Sequence, residues 1–169
     1  DSHLGLPVDE RPLATIQSID MEPYRRLLAH GLTAVMVAHV VYSQVDSVPS
    51  GFSSRWLGEI LRGELGFDGV VFSDDLTMQG AAFAGGPADR ARAALSAGCD
   101  MVLVCNAPDT IPAVLDAARG LVKPVSQLRL TRMHGAHAPD YKRLAWLPQW
   151  KQAREELEVS LEGDGFSLS

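Results

Sequence analysis

What most constrains the fold of this chain is a repeated order: an apolar run, a loop of polar or small residues, then a stretch with helical apolar spacing. The runs cover residues 32–41, 69–72 and 101–105. None approaches the ~20 apolar residues needed to cross a bilayer, and each has the length and Val/Leu/Met content of a strand covered on both faces. The helical stretch after the first run begins near Ser54 and sets Trp56, Leu57, Ile60, Leu61 and Leu65 on one face, with Gly66 at its end. After the second run a helix is predicted over 87–97, closed by Gly98, and after the third one over 110–119. A helix also precedes the first run, with Asp20 expected as N-cap, Ile19 and Tyr24 as a hydrophobic staple, Met21, Tyr24, Leu27 and Leu28 as its stripe and Gly31 as its stop. Regular alternation of strands and amphipathic helices implies an α/β fold with a parallel sheet and right-handed crossovers.

The flanks read differently. Residues 1–17 contain Gly5, Pro7 and Pro12 with no helical period and are expected to form a long irregular loop, a length often associated with function. Beyond Gly120 helices are expected over 126–133 and 140–161, broken near Pro148, with Trp146, Leu147 and Trp150 as packing anchors. His134 and His137 bracket a glycine with no third ligand nearby, so a polar loop is a better reading than a metal site. The net charge of −6, with no cluster of Lys and Arg, argues against nucleic acid or an anionic membrane as partner. The first residues lack the basic and apolar regions of a signal peptide. Cys99 and Cys105 lie at the two ends of an expected strand, ~20 Å apart if extended, and are expected to be reduced and buried, as in a cytoplasmic protein.

The chemistry gathers where the second run ends. Val70-Val71-Phe72-Ser73 leads directly into Asp74-Asp75, an apolar segment turning abruptly acidic, as at the C-terminal end of a parallel strand beside an active site. Alternation along a strand sends Asp74 and Asp75 to opposite faces, so one can face a pocket while the other is turned toward the helix layer. The plainer alternative is that both cap the following helix. A phosphatase-type nucleophile needs carboxylates two apart, a receiver domain needs a further Asp and a Lys on later strands, and neither standard glycine-rich phosphate loop is present. No cofactor and no metal is expected. A second candidate group is Asp1-Ser2-His3, in which an extended backbone lets the Asp1 carboxylate meet His3, fix its tautomer and raise its basicity.

Together these segments carry a resemblance. Asp1-Ser2-His3-Leu4-Gly5-Leu6-Pro7, Ala38-His39-Val40-Val41-Tyr42, the run from Leu61-Arg62-Gly63 to Asp68-Gly69-Val70, Phe72-Ser73-Asp74-Asp75-Leu76-Thr77-Met78 and Ala97-Gly98-Cys99-Asp100 through Cys105-Asn106 resemble the bacterial β-N-acetylglucosaminidases of glycoside hydrolase family 3. The resemblance implies a (β/α)8 barrel and a cytoplasmic role in cell-wall recycling, with N-acetylglucosamine-containing muropeptides as substrate. It implies Asp74 as nucleophile and His3 as proton donor with Asp1 as its partner, leaving Asp75 in support. Retaining glycosidases usually use two carboxylates, so the His rests on the resemblance alone. His39 could line the sugar pocket, or be packed or bonded to backbone.

A complete barrel takes ~250 residues, against 169 here. The expectation is therefore the C-terminal part of a TIM barrel, about three strands in residues 1–120, followed by a helical extension over 121–169 packing on it. The N-terminal half-barrel would be a required partner. The alternative is a non-catalytic fragment that binds sugar or a partner.

Overall fold

The computed structural model describes residues 2–135 and 140–163. The central sheet has three parallel strands in the order β2 (Ala34–Val37), β4 (Val70–Asp75), β5 (Met101–Leu103). β4 is the inner strand, and its Val70 and Val71 are fully buried, as its unbroken apolar composition requires. A second, two-stranded parallel sheet joins β1 (Val8–Asp9) to β3 (Val41–Tyr42). Helices α1 (Leu13–Ser18) and α2 (Glu22–Ala29) precede β2, and a wide helix with π-type bonding, Arg55–Glu64, lies between β3 and β4. After β4 come a 3-10 segment, Gln79–Ala84, and α3 (Pro87–Ala97); after β5 come α4 (Ile111–Ala118) and α5 (Pro124–Thr131). The main core packs Leu57, Phe67, Val71, Leu76, Ala91, Ala94, Cys99, Val114 and Ala117 between β4 and the helices.

Gly69 permits the sheet to begin where it does. A Cβ there would stand 2.4 Å from the Thr33 carbonyl oxygen and 2.5 Å from the Phe67 ring, so any side chain would push β2 and β4 apart at their start.

Several expectations are corrected. The run 32–41 is not one strand: β2 ends at Val37, and β3 pairs with β1 instead. Ser50 makes the break possible, because its hydroxyl donates to the Ala38 carbonyl (2.7 Å) and its amide to the Val40 carbonyl (2.8 Å), so the backbone between the sheets is satisfied. An apolar pattern looks the same whether a chain stays in one sheet or passes to another. β2 and β5 are edge strands, not strands covered on both faces, and Met36 and Met101 are exposed. Residues 1–17 hold a strand and most of a helix, because the Pro7 carbonyl accepts from Val41 N–H and Asp9 pairs with Tyr42. Asp20 caps nothing; its carboxylate takes Arg11 (2.8 Å), the N-cap is Met21, and Ile19 and Tyr24 are exposed. Cys105 is exposed, while Cys99 is buried; both are free.

By its contacts the chain divides into Asp1–Met133 and His134–Ser169, so α5, which the sequence places with the extension, belongs with the strands. The second unit holds α6 (Tyr141–Leu144) and α7 (Pro148–Gly163), the break falling before Pro148 as expected. Its Trp146 is 77% exposed and Trp150 40%.

Candidate functional site

The strand carrying the two carboxylates does not end regularly. Phe72 pairs with Met101 and Asp75 with Leu103, three steps on β4 against two on β5, which is a β-bulge at Ser73-Asp74. The Ser73 hydroxyl takes the place of a ladder carbonyl, accepting from Leu103 N–H (3.1 Å). Beyond the bulge Asp75 is buried and Asp74 is only partly so. The Asp75 carboxylate accepts from Thr77 N–H (2.9 Å), the Thr77 hydroxyl (2.5 Å) and Cys105 N–H (3.1 Å). Burial pushes its pKa up, but the Thr77 and Cys105 bonds outweigh that and leave it below the ordinary Asp value. Asp75 is thereby committed to holding the loop after β4 against the end of β5. Asp74 Oδ1 accepts from the N–H of Asp75 (2.8 Å), which orients the carboxylate without neutralising it.

Below this pair sits His39, fully buried in the link from β2 to β3. Its ring stacks on Phe52 (centroids 5.4 Å apart, planes at 17°), and Nε2 lies 3.1 Å from the Asp75 carbonyl oxygen. Burial pushes its pKa down; the Asp75 carbonyl and the charges of Asp74 and Asp75 oppose this without overcoming it. The imidazole is therefore the neutral form at neutral pH, bonded to backbone as one of the two sequence readings has it.

The turn carrying His3 is docked on the loop that follows β4. Gly80 N–H donates to the Ser2 carbonyl (3.0 Å), and a Cβ on Gly80 would meet His39 Cβ at 2.9 Å and the Ser2 oxygen at 3.1 Å. Close approach of the two segments thus depends on glycine. A few residues on, the β1–β3 pairing ties the same segment to the main unit. His3 is exposed. Asp1 and His137 lie outside the described residues. Arg90 fastens the loop after β4 from its other side, donating to the Leu76 carbonyl (2.6 Å) and the Gly85 carbonyl (2.7 Å).

The structure therefore gathers Asp74, Asp75, His39 and the His3 turn at one end of the sheet. Sequence reasoning missed the bulge, the Ser73 and Thr77 bonds and the part played by Gly80. Only the small, glycine-rich composition of 78–86 hinted at a close approach. No group of three or more metal-ligating side chains occurs among the described residues. A cavity of about 410 Å³ lies elsewhere, along β2, and is lined by apolar residues including Met21, Met36, Trp56 and Ile60. No helix among the described residues is long and apolar enough to cross a membrane.

A parallel α/β sheet with carboxylates and a histidine-bearing turn at the C-terminal ends of its strands is the arrangement of barrel enzymes that work at that face. The family model for the glycosyl hydrolase family 3 N-terminal domain matches residues 1–136. The chain belongs to glycoside hydrolase family 3, whose N-terminal domain is a TIM-barrel-type fold. It is 55% identical over 141 residues to a beta-hexosaminidase of Thiobacillus denitrificans, covering 82% of this chain and 39% of that protein. It is 51% identical over 140 residues to a beta-hexosaminidase of Nitrosospira multiformis, covering 83% of this chain and 40% of that protein. The structure of NagZ from Neisseria gonorrhoeae in complex with N-trifluoroacetyl-D-glucosamine superposes with a TM-score of 0.75 at 41% identity, over 92% of this chain and 44% of that one. The chain thus spans less than half the length of these relatives.

Proposed function

We propose that this chain is the C-terminal part of the (β/α)8 barrel of a retaining exo-β-N-acetylglucosaminidase. On this reading β2, β4 and β5 are the last three of eight strands. Asp74 attacks the anomeric carbon of a terminal β-linked N-acetylglucosamine while His3, held by Asp1, protonates the departing oxygen. Water then attacks the glycosyl-enzyme, with His3 taking its proton. The substrate class is peptidoglycan-derived muropeptide, and the setting is cell-wall recycling in the cytoplasm.

The observation that carries the reading is the Gly80–Ser2 hydrogen bond, which seats the His3 turn on the loop leaving the Asp74 strand. The beta-hexosaminidase relatives and the N-trifluoroacetyl-D-glucosamine complex of the gonococcal protein support the sugar class. A need for the N-terminal half-barrel is supported by the sheet itself. Met36, Phe72 and Met101 align across the three strands by register, and the row is left partly or wholly exposed. A barrel interior closed by further strands would cover it.

The test is hydrolysis of a chromogenic β-N-acetylglucosaminide by the barrel-complete protein and by its Asp74→Ala variant. The expected loss is on the order of 10⁴-fold or more in kcat. Equal rates would remove Asp74 from the mechanism. Binding of N-acetylglucosamine without turnover by the parent protein would select the non-catalytic reading instead.

A further inference from the structure

Among the described residues His39 is the one fully buried histidine, and nothing in the proposed reaction uses it. Its surroundings are more specific than packing requires. Nε2 faces the Asp75 carbonyl, an oxygen that can only accept, so Nε2 carries the proton. Nδ1 is then the bare nitrogen; it has no partner, and it faces Gly51, where a Cβ would stand 3.7 Å from it. A charged ring would put a second N–H into that unpartnered place, so the site is built for the neutral Nε2–H tautomer.

That N–H ends a short chain of bonds. It holds the carbonyl of Asp75, and the amide of the same residue holds the Asp74 carboxylate at 2.8 Å. His39 Cβ lies close to Gly80, where an added Cβ would stand 2.9 Å from it, and Gly80 N–H holds the Ser2 carbonyl of the His3 turn. The bulge frees the β4 backbone from regular pairing with β5 just before Asp75. The Asp75–Leu76 peptide is tied to β5 through Leu76 N–H and the Leu103 carbonyl (2.9 Å), and His39 holds its carbonyl side, one Cα away from the amide that orients the Asp74 carboxylate.

We propose that His39 is a positioning residue that sets the Asp74 carboxylate against the His3 turn, by donating Nε2–H to the Asp75 carbonyl and by packing under Gly80. The inference rests on the glycosidase reading for its catalytic meaning, but its geometric content can be measured without turnover. Two variants of the barrel-complete protein separate the donor from the ring. His39→Phe keeps a ring on Phe52 and removes the donor. His39→Gln gives up the ring but can return an N–H to the Asp75 carbonyl.

The expected result for His39→Phe is a fall in kcat of about 10- to 100-fold, because small misplacement of a reacting group has that scale of effect, with KM within about twofold. Exchange of the Asp75 amide with solvent should quicken by a similar factor. His39→Gln should recover most of both losses even where its melting temperature is lower than that of His39→Phe. Equal kcat and equal Asp75 exchange in the two variants, or losses that follow melting temperature alone, would overturn the proposal. Should the parent protein fail to hydrolyse the glycoside, the function reading falls. Asp75 exchange then decides alone whether His39 orients the residue whose amide holds Asp74.

Discussion

The two ends of β4 hold their carboxylates in opposite ways. At the start of the strand Asp100 is buried and saturated: it accepts from Val71 N–H (2.9 Å), the Ser126 hydroxyl (2.5 Å), Arg62 (2.7 Å) and Arg129 (3.2 Å). Asp68 next to it takes Arg129 and Arg132. At the far end Asp75 is bonded by amides and a hydroxyl, and Asp74 by one amide. Charge paired with charge locks α5 and the Arg55–Glu64 helix onto the strand and leaves nothing for a ligand. Neutral donors orient a carboxylate and keep its charge available, which a nucleophile requires. The lesson is that acidic residues at a strand end do not mark a site; the kind of partner that satisfies them does.

This contrast can be broken by substitution. The largest effect should be that of Asp74→Ala, a loss of about 10⁴-fold in kcat, equivalent to about 5.5 kcal/mol in the barrier, with the melting temperature unchanged; a large drop in melting temperature would place Asp74 with the structural carboxylates. Next, Asp100→Ala should cost about 3–5 kcal/mol of folding stability in denaturant titration, because it leaves the partly buried Arg62 without its carboxylate, Arg129 with Asp68 alone, and the Val71 amide and Ser126 hydroxyl unpaired. A cost below about 1 kcal/mol would show that the network is dispensable. Gly69→Ala should follow at about 1–3 kcal/mol, from overpacking against Thr33 and Phe67. Smallest, Asp68→Asn should leave the denaturant midpoint almost unchanged and become silent at high salt, since the Asp68 carboxylate is solvent-exposed.

Titration should separate the two ends as well. Burial pushes the Asp100 carboxyl up, but Ser126, Val71, Arg62 and Arg129 together bring it below the ordinary value of 3.8. Its contribution to stability is therefore full above about pH 4 and is lost as pH falls through the depressed value. Arg62 is itself held below the usual arginine value, by burial first and then by the charge of Arg129. Arginine keeps its proton throughout, so the pair titrates through the carboxylate. His39 acts earlier. Its folded pKa lies below 6.5, so below that pH the unfolded chain takes up a proton the folded chain refuses, and stability declines. Stability measured against pH should show an upper decline that His39→Gln removes and a lower one that Asp100→Asn reduces. Removal of both by a single substitution would contradict the separation of the two ends.

Much of this architecture was legible in the chain. The helix over 87–97 closes at Gly98 as read, because Pro at its start and Gly at its end are local signals. The core strand at 70–75 was visible as an apolar run meeting two carboxylates, and alternation alone separated Asp74 from Asp75. The break after Val37 was not visible, because apolar composition says that a residue is buried but not in which sheet. The cap expected at Asp20 failed because Arg11, nine positions away, offers its carboxylate a charged partner that local spacing cannot reveal.

The sequence by itself determined the alternation of β2, β4 and β5 with helices, the acidic end of β4 and, through its resemblance, the family. Tertiary structure decided which carboxylate is saturated and which is held open, where the β4 ladder slips, and that His39 and Gly80 join the Asp74 strand to the His3 turn. The reason is range: helix ends and strand alternation are set by neighbours a few residues apart, whereas the Cys105 amide on Asp75, the Val71 amide on Asp100 and the Asp75 carbonyl at His39 lie 29 to 36 positions from their partners and meet only when the sheet forms.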